Sequence, residues 1–280
     1  MKTLQIVAVW LFLAMKPAPE APTLAERLCA AADEQAVAAI LDENPGAVSE
    51  DLFGACRKAA QGYLDKYRQP EALRGFTAAL AVARRLRSVD DTAISLRGIA
   101  IAHSRMDHAT LALSSFEEAL RAATEAGDKP LQCDIWRGLG TVHRRLAKLP
   151  EAIADDERSV ALARELGDVH RTAAGLSNLS TNYSQSGDLR RAAEIIAEAL
   201  RVGRDFPDIV ETTTGNLGTI AMRQGNPDAG KYYLEQTLER ADQNGDKQGS
   251  IIHLLNLGPV YHALGELNKA LVGLTRAAAL

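Results

Sequence analysis

The chain has 280 residues, of which 46% are hydrophobic, 24% are charged and only 5% are aromatic, and its formal net charge at pH 7 is −4. The mild negative charge argues against a dedicated nucleic-acid binder, which normally carries a basic excess. Three widely spaced cysteines, Cys29, Cys56 and Cys133, indicate neither a disulfide framework nor a zinc site. Frequent alanine and scarce aromatic residues favour an all-α chain packed through small side chains.

The N-terminus resembles a targeting segment. Lys2 precedes an apolar run from Leu4 to Met15, and a segment rich in Pro and Ala follows. This order is typical of a secretory signal peptide, and the run is shorter than the roughly 20 residues that a transmembrane helix needs. We predict a signal peptide and linker over residues 1–22, which would make the protein secreted or periplasmic. The alternative is an apolar helix that caps the first face of the fold in a cytoplasmic protein.

Residues 23–46 are predicted to form an N-terminal capping helix over 24–42, which Asn44-Pro45-Gly46 ends. Beyond it the sequence repeats. The pair Leu139-Gly140 recurs as Leu179-Ser180, Leu217-Gly218 and Leu257-Gly258. The step is about 40 residues each time, and a fixed period of this length predicts a repeat architecture in which neighbouring units share one continuous core.

Six units fit this register, at about 50–88, 89–128, 129–168, 169–206, 207–246 and 247–280. Each unit contains two amphipathic helical patterns separated by a turn with Gly, Asp, Asn or Pro, residues that end one helix and begin the next. The helix pairs are predicted over 50–67 and 70–87, 90–106 and 109–126, 130–147 and 150–166, 169–186 and 189–204, 208–224 and 227–244, and 247–264 and 267–280.

One unit carries Trp136-x-x-Leu139-Gly140-x-x-His143 and a small residue, Ala152, after the turn. The small position recurs in every unit, at Ala72, Ala112, Ala152, Ala192, Gly230 and Ala270. This pattern resembles the tetratricopeptide repeat, in the longer form of about 40 residues found in kinesin light chains and many bacterial regulatory proteins. The resemblance covers about residues 50–280. It implies a right-handed α-α superhelix of about six helical hairpins plus the N-terminal capping helix.

The repeat register runs to the last residue, Leu280, which stands where Leu162 stands in its own unit. Solenoids need polar capping units at their ends, so we expect the array to continue beyond Leu280. The resemblance implies one further possibility, because bacterial arrays of this type often precede an effector domain such as a caspase-like CHAT peptidase.

In tetratricopeptide repeat proteins, which this chain resembles, the first helix of each unit lines the concave groove. Candidate ligand-binding residues of this chain lie in those first helices. Arg57, Arg97 and Arg137 follow one another at one repeat step each. Arg105 and Arg145 lie about two helical turns further on and project from roughly the same face. In the later units, asparagine stands immediately before the recurring Leu-Gly or Leu-Ser pair, at Asn178, Asn216 and Asn256.

These columns predict a groove that is basic in its N-terminal half and lined by amides in its C-terminal half. Arginine binds carboxylates through paired donors, and asparagine both donates to and accepts from an extended backbone. Peptide binders of the family use similar residues, but the lysine of their carboxylate clamp is absent, so no chaperone-tail clamp is predicted. In the alternative interpretation, the arginines are solvated and the asparagines make contacts within the repeats.

No catalytic or metal-binding pattern is present. His103 and His143 stand at the repeat position that Tyr183 and Tyr261 occupy in later units, a set of equivalent positions that we call a column. Rings of similar size at one position indicate that these side chains pack between helices. Asp155-Asp156-Glu157 is interpreted as an acidic cluster at a helix start. Asp156 also interrupts a column of bulky apolar residues, Phe76, Phe116, Ile196, Leu234 and Leu274, so we expect loose packing there.

The sequence therefore predicts a non-catalytic scaffold, without cofactor or metal, that binds a protein or an extended, acidic peptide in the concave groove. It would serve as the sensor or adaptor arm of a larger bacterial effector. Neither nucleic-acid binding nor a membrane span is predicted. The alternative is an oligomerisation module that self-associates through the solenoid ends, since the apolar side of the last helix has no partner within these residues.

Overall fold

The computed structural model describes residues 22–280. The predicted signal peptide and linker therefore lie outside the described residues, apart from Pro22. The described part contains fourteen α-helices and no strand, which confirms the predicted all-α class. The described chain forms two compact units, residues 22–86 and 87–280. Within residues 22–280, no helix combines the length and apolar character needed to cross a bilayer.

The first unit has four helices, with a 3-10 turn between the second and the third. They are α1 (Leu24–Ala30), α2 (Glu34–Glu43), α3 (Glu50–Asp65) and α4 (Gln69–Leu86). The single capping helix predicted over 24–42 is wrong, because the chain leaves the helical conformation at Ala31. The carboxylate of Asp33 then accepts a 2.8 Å hydrogen bond from the backbone N–H of Ala36 and begins a second helix.

The second unit consists of five helical hairpins. Their helices are α5 (Val89–Arg105) and α6 (Ala109–Ala126), α7 (Lys129–Arg145) and α8 (Leu149–Glu165), α9 (Val169–Ser186) and α10 (Leu189–Val202), α11 (Pro207–Arg223) and α12 (Pro227–Gln243), and α13 (Lys247–Ala263) and α14 (Leu267–Ala279). With the α3–α4 pair of the first unit, they are the six predicted hairpins, and every predicted bound falls within two residues of the observed one.

The recurring Gly-Asp pair explains where successive hairpins join. Gly127, Gly167 and Gly245 have φ between +66° and +74°, a left-handed conformation that glycine adopts without a steric penalty. The aspartate after each glycine then begins the next first helix. The carboxylate of Asp128 accepts a hydrogen bond from Leu131 N at 2.9 Å, for example. One residue thus ends a hairpin and the next starts another.

Small residues allow the two helices of a hairpin to cross closely. A Cβ on Gly140 of α7 would lie 2.6 Å from Oδ1 of Asp156 and 3.1 Å from the carbonyl oxygen of Ala152, both on α8. A Cβ on Gly218 of α11 would lie 2.8 Å from the side chain of Leu234 on α12. The glycine of the recurring Leu-Gly pair is therefore a packing requirement at these two crossings.

The first helices of the second unit contact one another in order, from α5 to α13. Each second helix from α6 to α12 packs between its own first helix and the next one. The first helices therefore form one side of this unit, which we call the first-helix face (α5, α7, α9, α11 and α13).

Candidate functional site

Two cavities lie on the first-helix face. The larger has a volume of about 560 Å³ and is lined mainly by α5 and α7. We call it the arginine cavity, after the residues that dominate its wall: Arg97, Arg105, Arg137, Arg144 and Arg145. Its polar lining also includes Asn178 of α9, Ser104, Thr141 and one acidic residue, Asp134.

The second cavity has a volume of about 450 Å³ and lies further along the same face. We call it the amide cavity, because its lining includes the side chains of Asn216 and Asn256. Arg223 and hydroxyl groups of Thr181 and Thr219 also contribute. Arg144 lines both cavities, so they adjoin at α7.

Seven of the eight predicted ligand-binding residues line one of these cavities. The arginine cavity is lined by Arg97, Arg105, Arg137, Arg145 and Asn178, and the amide cavity is lined by Asn216 and Asn256. The eighth, Arg57, lies exposed on α3 of the first unit. Side chains predicted from three sequence columns are thus brought together on one face, and their role in binding stays a prediction.

The arginine cavity holds more positive than negative charge. Oδ2 of Asp134 lies 3.7 Å from the guanidinium of Arg97, and Oδ1 lies 3.4 Å from that of Arg137. Arg171 also contacts this carboxylate, at 3.3 Å. Burial lowers the pKa of Arg97, and the charge of Asp134 opposes that shift. One carboxylate therefore faces three guanidiniums, and within residues 22–280 only that of Arg171 has a second acidic partner, Asp168 at 2.6 Å.

Some of the lining residues also join neighbouring repeats. Arg145 donates to the backbone carbonyl of Ser104 in the last turn of α5. Arg223 donates in the same way to the carbonyl of Ser184 in the last turn of α9. The amide of Asn216 donates to the hydroxyl of Ser177 at 3.0 Å. These contacts join different repeats, whereas the alternative interpretation expected solvated arginines and asparagine contacts within a repeat.

Three charged lining residues were missed from the sequence: Asp134, Arg144 and Arg223. Arg223 could have been found, because it follows Arg145 by two repeat steps and makes the equivalent hydrogen bond. Arg144 and Asp134 have no arginine or acidic equivalent in the neighbouring units, so no column marks them.

Asp156 is fully buried on α8, and the expected loose packing around it is wrong. Its Oδ2 accepts a 2.6 Å hydrogen bond from the side-chain amide of Asn182 on α9. Burial raises the pKa of Asp156 well above its usual range, although the charges of Arg144 and Arg137 pull it down. The predicted acidic cluster at a helix start is also wrong, since α8 begins at Leu149 and these carboxylates lie further along it.

Two residues of the histidine and tyrosine column, His143 and Tyr183, make side-chain hydrogen bonds. His143 Nδ1 lies 2.6 Å from Oδ2 of Asp155, and the hydroxyl of Tyr183 donates to Glu157 at 2.9 Å. Within residues 22–280, no group of three or more His, Cys, Asp or Glu could hold a metal ion. Burial raises the pKa of Cys133 to about 11, which leaves little nucleophilic thiolate at neutral pH.

Comparison with known proteins gives a family match and several structural neighbours. The family model described as "Tetratricopeptide repeat" matches residues 131–205 and 209–280, together just over half of the chain. A search of curated proteins by sequence gave no significant match.

Three solved structures illustrate the likeness. BtubC (BKLC) from P. vanneervenii superposes with a TM-score of 0.59 at 22% identity, over 75% of this chain and 90% of that chain. A Rap protein complexed with competence and sporulation factor gives 0.72 at 12%, over 88% and 68%. The Rap conjugation gene regulator of plasmid pLS20, in complex with the Phr* peptide, gives 0.62 at 16%, over 81% and 73%. At these identities the likeness concerns the fold.

Proposed function

We propose that this chain, which belongs to the tetratricopeptide repeat family, is a protein-binding scaffold that holds an extended, acidic peptide segment on its first-helix face. The observation that carries the proposal is the pair of guanidinium groups of Arg97 and Arg137 in the wall of an open cavity, where they share the carboxylate of Asp134 with Arg171. A surplus of guanidinium groups in a cavity favours a carboxylate ligand.

Unused hydrogen-bonding capacity supports the same ligand. Nε of Arg97 is buried and has no hydrogen-bond partner within the described structure. Asn178 and Asn256 stand in the asparagine column, in the walls of the arginine and amide cavities. An asparagine side chain pairs with both the N–H and the C=O of a peptide in extended conformation. Acidic side chains would thus bind at α5 and α7, and the peptide backbone would continue along α9 and α11.

Two of the solved structures of similar fold contain a bound peptide or factor: the Rap regulator with the Phr* peptide, and the Rap protein with competence and sporulation factor. They support the idea that a helical array of this fold can hold a peptide. We also propose that the chain carries out no reaction, because repeat folds of this family typically serve as scaffolds.

Binding of a fluorescein-labelled peptide rich in Asp and Glu tests the proposal by fluorescence anisotropy. Arg97→Gln/Arg137→Gln removes two cavity charges, and we expect the Kd to rise about tenfold, or about 1.4 kcal/mol. The matched control is Arg190→Gln/Arg201→Gln, which removes two highly exposed arginines of α10. Circular dichroism checks that both variants stay helical. Equal losses in the two double variants, or no binding to wild type, would sink the proposal.

A second candidate function is self-association through α14. This helix has no buried residue, and Leu267, Leu271 and Val272 are 59%, 67% and 68% exposed. Contiguous exposed apolar residues mark interaction surfaces in many proteins. Sedimentation equilibrium of wild type and Leu271→Glu/Val272→Glu distinguishes the candidates. A dimer that dissociates in the variant favours self-association, and a monomeric wild type rules it out.

We further propose that the scaffold is the sensor or adaptor arm of a larger bacterial effector, as its resemblance to bacterial regulatory arrays implies. Immunoblotting of the protein from its source cell tests this. We expect an antibody to the second unit to detect a polypeptide well above 30.1 kDa, the mass of these 280 residues. Detection of a 30.1 kDa product alone would contradict the proposal.

A further inference from the structure

The first-helix face ends in an apolar patch on α13. Ile252 and Leu255 are 47% and 52% exposed, and Pro259 is also exposed. Ile252 and Asn256 are four positions apart, as are Leu255 and Pro259, and Pro259 follows Asn256 by three, so the three apolar side chains form one strip of the helix surface with Asn256 at its edge. Because Asn256 lines the amide cavity, the patch borders that cavity.

The repeat register places this patch in line with the arginine cavity. Ile252, Leu255 and Pro259 occupy the positions that Asp134, Arg137 and Thr141 occupy on α7, three repeats earlier. The same positions hold Ala174, Ser177 and Thr181 on α9, and Thr212, Gly215 and Thr219 on α11. From α7 to α13, this set of positions therefore changes from charged, through small and hydroxylated, to apolar, whereas α5 carries Ile94, Arg97 and Ile101 there.

Single exposed leucines are ordinary on protein surfaces. This patch differs because its positions line a cavity in an earlier repeat, and because α13 also buries Leu254, Leu257 and Val260 on its other side. A helix that is apolar on both sides is usually covered on both. The surface continuous with the two cavities is the side left open.

We propose that the segment bound on the first-helix face carries an apolar side chain that docks on Ile252, Leu255 and Pro259, at the opposite end from its acidic group. The inference rests on the proposed function and adds a second anchor and the distance between the two anchors. Neighbouring helix axes lie about 8–10 Å apart, so three steps from α7 to α13 span roughly 24–30 Å. An extended chain covers that distance in about eight residues, at about 3.3 Å per residue.

The test uses labelled peptides with an Asp-Asp end, a spacer of Ser and Asn, and a Leu-Leu end, made in both chain directions. With a spacing of about eight residues, at least one direction is expected to bind wild type about tenfold more tightly than the same peptide with Ser-Ser in place of Leu-Leu. Ile252→Ser/Leu255→Ser is expected to abolish this gain and to leave the affinity for the Ser-Ser peptide unchanged. Halving the spacer should remove the gain as well, because both anchors can no longer bind at once.

The matched control is Leu267→Ser/Leu271→Ser, which removes two exposed leucines of α14 and is expected to keep the gain. If the Ser-Ser peptide binds but Leu-Leu adds nothing, the apolar anchor is wrong and the proposed function stands. If no peptide binds wild type, both fail. If sedimentation shows a dimer that only the α13 variant disrupts, a second copy covers the patch and the inference is overturned.

Discussion

Asn182 donates a 2.6 Å hydrogen bond from its side-chain amide to Oδ2 of Asp156, and both side chains are buried between α8 and α9. The equivalent position on α10 holds Ile196, which is also buried. The pair replaces an apolar contact between two repeats with a polar one. It is only partly satisfied, because Oδ1 of each residue has no hydrogen-bond partner within the described structure.

The Asp156 carboxyl is expected to make stability depend on pH. Burial raises its folded-state pKa well above the usual range, whereas in an unfolded chain the value is about 3.9. Its contribution is therefore fully present below about pH 4 and is lost as the pH rises through the raised pKa. We expect Asp156→Asn, which cannot ionise, to gain stability relative to wild type as the pH rises from 4 to 8. Urea unfolding at several pH values measures the difference, and a difference that stays constant with pH would contradict the assignment.

Gly140→Ala is expected to destabilise the second unit by about 1–3 kcal/mol, the usual range for overpacking. The added Cβ would meet Oδ1 of Asp156 and the carbonyl of Ala152 at the α7–α8 crossing. Gly62→Ala on α3 is the control, since its Cβ would meet nothing within 4 Å. Helix propensity should make that variant more stable by about 0.5–1 kcal/mol. Thermal unfolding followed by circular dichroism compares them, and two changes of the same sign would refute the packing argument.

Asp168 begins α9, and its removal should cost about 1 kcal/mol at neutral pH. Its carboxylate accepts hydrogen bonds from the backbone N–H of Arg171 at 2.8 Å and from the guanidinium at 2.6 Å. The backbone bond is the main reason that the pKa of Asp168 is lowered. The stabilisation is therefore present above the unfolded pKa of about 3.9 and is lost as the pH falls through the lower folded value.

Denaturant unfolding of Asp168→Ala should accordingly show a deficit at pH 7 that shrinks below pH 4. Asp205→Ala is the comparison, because Asp205 is 79% exposed and caps no helix. Asp205→Ala should change the free energy of unfolding by no more than about 0.5 kcal/mol. A deficit for Asp168→Ala that grows on acidification would mean that the carboxylate does not act as a cap.

The sequence predicted the helix bounds well because the turns carry their own chemistry. Glycine in a left-handed conformation ends a helix and the aspartate after it begins the next, so the Gly-Asp pairs at Gly127, Gly167 and Gly245 mark three joints between hairpins. The break between α1 and α2 was missed because Ala31 and Ala32 are strong helix formers, with neither Gly nor Pro to mark a stop. Only the Asp33 cap indicates it.

The candidate site was predictable where it repeats and not where it is unique. Arg97 and Arg137 were found because they keep the register of the array. Their counter-charge, Asp134, stands where the other units carry apolar or small residues, so only the folded contacts identify it. Asn182 and Asp156 lie in neighbouring repeats, and no pattern pairs them in advance. Such long-range pairs depend on how hairpins stack.

Peptide binding on the first-helix face should weaken with salt. The attraction comes from partly exposed guanidinium groups such as those of Arg97 and Arg137, 31% and 36% exposed. Screening shortens from a Debye length of about 10 Å at 0.1 M to about 3 Å at 1 M ionic strength. We expect the Kd for an Asp-rich peptide to rise on the order of tenfold over that range. An affinity that does not change with salt would show that the arginines are not the contact.

Photo-crosslinking locates the bound peptide and so tests whether it lies on the first-helix face. An Asp-rich peptide with a benzophenone group at its centre is irradiated with the wild-type chain, and mass spectrometry identifies the modified residues. If the peptide binds on the first-helix face, we expect crosslinks on the first helices of the second unit, chiefly α7 and α9. These crosslinks should be lost in Arg97→Gln/Arg137→Gln. Crosslinks confined to the second helices, such as α8 and α10, would place the ligand elsewhere and contradict it.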